Sequence, residues 1–150
     1  MVSTRVCGTL SSSSNIDRHP KMKKIVFIFI SSFILDTIWQ NLHVFLFANY
    51  KGGEITEFIL LRAVLFDVLT ILIFVLPFLF YSSFERHAWL IMPVGILFSI
   101  AIEWWGLGTG RWAYNSLMPI IPILNVGLAP TLQLGLIAYV CFRIEEKIFS

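Results

Sequence analysis

The chain has 150 residues, of which 57% are hydrophobic and only 13% charged, with 14 Phe and 5 Trp. Soluble domains carry about twice that charged fraction, so a water-exposed globule is excluded and the apolar side chains must face lipid or one another. A formal net charge of +2 is too small to argue for a nucleic-acid partner.

Residues 1–24 read as a disordered basic cytoplasmic tail. A Ser11–Ser14 run is followed by Arg18, Lys21, Lys23 and Lys24, a composition that cannot bury a core. A first transmembrane helix is expected over about 25–47. The basic flank with an apolar run also describes a signal peptide, but the stretch continues past Asp36 and Trp39 without a small-residue cleavage site. A second span is expected over 58–80 and a third over 88–107, each near the roughly 20 residues needed to cross the hydrocarbon core. The short Tyr81–His87 link makes these two antiparallel neighbours.

The last apolar stretch, 117–142, is interrupted by Pro119, Pro122 and Pro130. Proline lacks an N–H and disfavours helix at the residue before it. Irregular backbone is therefore expected over Met118–Leu124, with a helix starting near Asn125 and Pro130 kinking it or lying in its first turn. Residues 144–150 form a short C-terminus. With the N-terminus inside, eight basic residues (Arg5, Arg18, Lys21, Lys23, Lys24, Arg86, Arg143, Lys147) lie inside against Lys51 and Arg111 outside, which orients both ends to the cytoplasm. The reading is an all-α, multi-pass membrane protein with four spans, the fourth preceded or broken by a Pro-rich segment.

The polar residues within the spans cluster by depth. Asp36, Gln40 and His43 fall at i, i+4 and i+7, one stripe of the first helix. Arg62 and Asp67 lie in the second span, Glu103 near the outer end of the third, and Asn125 at the entry to the fourth. Ionisable groups in a span are expensive unless paired or hydrated, and they mark function by default. The plain alternative is that Arg62 pairs with Glu103 or Asp67, while Gln40 and Asn125 act as interhelical hydrogen bonds. A hydrogen-bonded role suits His43 better than metal ligation. Cys7 and Cys141 lie outside CxxC or zinc-ligand spacing, and no Gly-rich phosphate loop appears, so neither metal nor cofactor is implied.

The segment from Glu103 to Asn115, followed by Val126-Gly-Leu-Ala-Pro130, resembles the small membrane domain of heterodimeric and fungal-type lycopene cyclases. Thr109, Gly110, Trp112, Tyr114 and Pro130 match its pattern, with Glu103 matching loosely. Glu103, Gly106, Thr109 and Gly110 match the Glu-x-x-Gly-x-x-Thr-Gly pattern of carotenoid hydratase-like proteins. The resemblance departs after the proline, where Thr131-Leu132-Gln133 stands in place of the paired glutamates thought to protonate the polyene. It thus implies a relation to isoprenoid-modifying membrane proteins without lycopene cyclase activity.

Three roles follow. A lipid- or isoprenoid-modifying enzyme would use Glu103 or Asp67 as its acid. Its hydrophobic ligand would lie among Asp36, Gln40, His43, Arg62, Trp112, Tyr114, Asn125 and Gln133. A small transporter or binding subunit would use the same residues around a discontinuous helix and would need to form a homo-oligomer. A structural or assembly protein would use them only to orient helices in the lipid bilayer.

Overall fold

The computed structural model describes residues 18–149, so most of the expected tail lies outside the described residues. Four long helices dominate: α1 (Arg18–His43), α2 (Glu57–Phe80), α4 (Ile91–Gly108) and α5 (Leu128–Phe149), with a short α3 (Ser82–Glu85) between the middle pair. All four long helices are long and apolar enough to cross a membrane.

Two small antiparallel pairings organise one end of the bundle. Strand β1 (Phe47–Tyr50), after α1, pairs with β2 (Trp112–Tyr114), after α4, in the register Phe47↔Tyr114, Asn49↔Ala113, Tyr50↔Trp112. Strands β3 (Ile120–Ile121) and β4 (Val126–Gly127) form a hairpin leading into α5. The β1–β2 pairing places the α1–α2 and α4–α5 connections at the same end, here termed the hairpin end. The start of α1 and the end of α5 meet at the opposite end, where Lys24 Nζ lies 2.8 Å from the buried Glu145 carboxylate and ties the two helices together.

Local chemistry explains the helix limits. Thr56 caps α2, its hydroxyl accepting from the Ile59 N–H at 3.4 Å, and Glu57 complements the positive end of the helix dipole. The helix α5 starts at Leu128, not near Asn125, because the chain first completes the β3–β4 hairpin. Asn125 lies in its turn with φ +54°, a left-handed conformation that asparagine tolerates better than most residues. Pro130 sits in the first turn of α5, where its missing N–H forfeits no helix bond. The helix runs on to Phe149, through the segment expected as a short C-terminal tail. At the other end of the chain α1 begins at Arg18, ahead of the expected 25.

The bundle is apolar outside and divided inside. Ile30, Ile34, Ile38, Leu61, Leu69, Ile73 and Leu97 project outward. The terminal half is filled by Ile28, Ile71, Val75, Phe78, Ile91, Ile137, Ala138 and Phe142. The hairpin half buries Asp36, Gln40, His43, Ser99, Glu103 and Gln133. Helices α4 and α5 approach backbone to backbone. A Cβ on Gly95 would lie 2.5 Å from Gly135 Cα, and one on Gly135 would run into the Met92 carbonyl.

Because that neighbour is backbone, Gly135→Ala should lower the unfolding free energy by about 1–3 kcal/mol. Gly108→Ala, whose Cβ would meet nothing within 4 Å, should leave it nearly unchanged. Unfolding in mixed micelles checks this, and equal losses at the two positions would contradict the close α4–α5 packing.

Candidate functional site

The hairpin half is polar because each long helix contributes a hydrogen-bonding side chain at similar depth. Asp67 lies ten residues into α2, about 15 Å along the axis. Gln40 and Asp36 come from the last two turns of α1, Glu103 from the second-last turn of α4, and Gln133 from the second turn of α5.

Gln133 is the joint. Its Nε2 donates to Asp36 Oδ1 at 2.7 Å and to Asp67 Oδ2 at 2.8 Å, while Gln40 Nε2 donates to the same Asp67 oxygen at 3.0 Å. One amide group thereby links α1, α2 and α5. Asp36 Oδ2 has no hydrogen-bond partner, and the shared Gln133 amide nitrogen brings the two aspartate carboxyl groups side by side.

Glu103 is held differently. Trp112 Nε1 donates to its Oε2 at 3.2 Å, and the Tyr114 hydroxyl donates to the same oxygen. The Tyr114 oxygen in turn accepts the Gly127 N–H at 2.9 Å, which fixes the entry to α5. Burial first, and the bond to Glu103 second, hold the Tyr114 phenol above its usual range, so it remains a donor. Gly106 makes room for the Trp112 ring, which occupies the place its Cβ would take. Glu103, Gly106, Trp112 and Tyr114, far apart in function on paper, form one unit that pins β2 and β4 onto α4.

Between these two units lies a partly open cavity of about 480 Å³, within the range that holds small-molecule ligands. Gln40, Asp67, Ser99, Glu103 and Gln133 supply its polar lining, and Phe47, Ile59, Phe66, Ile102 and Leu134 its apolar walls. The Ser99 hydroxyl is buried without a hydrogen-bond partner. Arg62 and Arg111 border the cavity, and neither has a carboxylate within 4.0 Å among the described residues.

The sequence-predicted residues therefore divide. Gln40, His43, Arg62, Asp67, Glu103, Trp112 and Gln133 line the cavity. Asp36 sits behind Gln133, and Tyr114 behind Glu103. Asn125 does not line it; the β3–β4 turn carries it to the surface. The alternative pairing of Arg62 with Glu103 or Asp67 does not form among the described residues; Trp112, Tyr114 and the two glutamines bond those carboxyls instead. His43 is tied through Nδ1 to the Trp39 carbonyl at 2.6 Å. Ser99 and Arg111 are lining residues that escaped sequence reasoning. Ser99 lies one turn from Glu103 on the same face, a spacing that could have flagged it. Arg111 was counted only as a flanking charge, yet its guanidinium sits over the Trp105 ring at 4.2 Å. Comparison with protein-family models, curated proteins and solved structures gives no significant match.

Glu103→Ala should destabilise the hairpin end, since leaving a buried donor unpaired costs about 1–3 kcal/mol each. Glu103→Gln keeps an acceptor oxygen and should lose much less. Thermal unfolding together with hydrogen exchange at the Gly127 amide checks the order, and equal effects of the two changes would contradict it.

Proposed function

We propose that this is an integral membrane protein, both termini cytoplasmic, that binds a hydrophobic small molecule in the hairpin-end cavity and transfers a proton to it from the Asp36–Asp67 pair. The single observation that carries this reading is the placement of that pair. Asp67, held by two glutamine amides, lines a largely apolar cavity inside a bundle suited to lipid, with the Asp36 carboxyl bonded to the same Gln133 amide behind it.

Asp67 is the member that reaches the cavity, and Asp36 is its buried partner. A pair of carboxyls can hold one proton between them and pass it on, the role general acids play when placed against substrate. The resemblance of the Glu103–Pro130 segment to isoprenoid-modifying membrane domains favours an unsaturated lipid as the acceptor. Proton addition to a double bond uses the π electrons to form the new C–H bond and leaves the neighbouring carbon cationic. Loss of another proton back to the carboxylate then closes the cycle with an isomerised or cyclised product and no co-reactant. The paired acids missing after Pro130 have a counterpart in this scheme, since Gln133 gathers two aspartates from other helices. That does not make the protein a lycopene cyclase. Glu103, engaged by Trp112 and Tyr114, is assigned to positioning instead of acid chemistry.

A second reading is favoured by the reach of Gln133 across three helices. The same bonds serve as interhelical ties, each worth about 0.6 kcal/mol on average, with no ligand involved. Incubating the reconstituted protein with its host's lipid extract in deuterated water separates the two. Proton transfer predicts deuterium incorporated at carbon in a particular unsaturated lipid, lost in Asp67→Asn while helicity and melting are retained. No incorporation by the wild type, or equal incorporation by Asp67→Asn, would sink the enzymatic reading.

A further inference from the structure

The charges around the cavity are unevenly placed, and this bears on what kind of molecule fits. The carboxyls of Asp67 and Glu103 lie on its interior lining, already supplied with donors. Arg62 is exposed at its edge, and Arg111 is half-buried against Trp105. Neither guanidinium has a carboxylate partner among the described residues, although Asp67 and Glu103 line the same space. Guanidinium groups present several N–H donors in a planar fork that matches the oxygens of a phosphate or carboxylate.

The α2–α4 seam bears on where a ligand would enter. Near the terminal half the α2–α4 seam is closed by Phe74 and Phe98, whose rings meet edge to face with centroids 5.1 Å apart. Further toward the hairpin end the same two helices contribute Arg62, Ala63 and Phe66 on one side and Ile102 and Trp105 on the other, all facing the cavity. A chain-like molecule entering there would lay its tail against Ile59, Phe66, Ile102 and Leu134. Its head would stay at the edge, since an anion driven deeper would face two carboxyl groups.

We infer that the cavity takes an amphiphile with a single anionic oxygen-bearing head, phosphate or carboxylate, held at the edge by Arg62 and Arg111 with its apolar tail inside. This rests on the ligand-binding reading above and narrows it to a ligand class. Farnesyl phosphate and farnesol, which share a tail and differ in the head, test it by quenching of tryptophan fluorescence in phosphatidylcholine nanodiscs.

The wild type is expected to bind farnesyl phosphate about tenfold more tightly than farnesol, the size of effect one or two charge-assisted hydrogen bonds give. The preference should largely vanish in the Arg62→Gln/Arg111→Gln variant and return in part with lysine at both positions. Displacement of farnesyl phosphate by phosphatidylglycerol would identify a bilayer lipid as the source of the head group. Resistance to displacement would identify a single-chain anion, and either result supports the inference. Equal binding of the two probes, or a preference unchanged in the double variant, would overturn the head-group assignment while leaving the apolar cavity as a ligand site. Displacement by inorganic phosphate at the same concentration would overturn the requirement for a tail. Binding of neither probe to the wild type would overturn both this inference and the ligand-binding reading.

Discussion

An amide group bonded to two carboxyls from two other helices is the constraint on which the hairpin half depends. In an apolar surrounding, a carboxyl or amide without a partner costs several kcal/mol. Once Asp36, Gln40, Asp67 and Gln133 are in the sequence, α1, α2 and α5 can only settle in rotations that bring these groups together. Gln133 has two N–H donors, and both are used. A leucine there would leave Asp36 without a donor and Asp67 with Gln40 alone, and a glutamate would add a third acid without a donor. The identity of this side chain therefore sets both the packing of three helices and the placement of the two aspartates.

The fourth long helix is placed by different chemistry. Close packing of Gly95 against Gly135 fixes α4 on α5 at mid-bundle. The Glu103–Trp112–Tyr114 unit then fixes the end of α4 to the strands and to the start of α5. The cavity lies where these two arrangements fail to meet, between a polar joint on one side and an aromatic clamp on the other. Surroundings fixed in this way would suit the proposed binding of a flexible tail, because little of the binding energy would be spent ordering the protein.

Much of this was legible in the residues. Long apolar runs located four spans, and the i, i+4, i+7 spacing of Asp36, Gln40 and His43 put them on the inward face of α1. The contrast between an apolar half and a polar half was also visible from depth alone. What was not legible was pairing. Opposite charges allowed Arg62 to pair with Glu103 or Asp67, yet Glu103 faces Trp112 and Tyr114, whose N–H and O–H groups arrive through the long-range pairing of β2 with β1. Prolines announced irregular backbone before the last helix but not the β3–β4 hairpin, so the helix was expected to start near Asn125, which is in fact a turn residue. Gln133 looked like the absence of an acid; only the fold reveals that it collects two.

The most direct measurement is mass spectrometry of small molecules retained when the protein is purified with its native lipid, compared with an Ala63→Trp variant that fills the cavity. An amphiphile with an anionic head, enriched with the wild type and depleted in the filled variant, is the predicted result. The same bulk lipids in the same proportions from both proteins would contradict a ligand site, and would leave the buried polar residues as ties between helices.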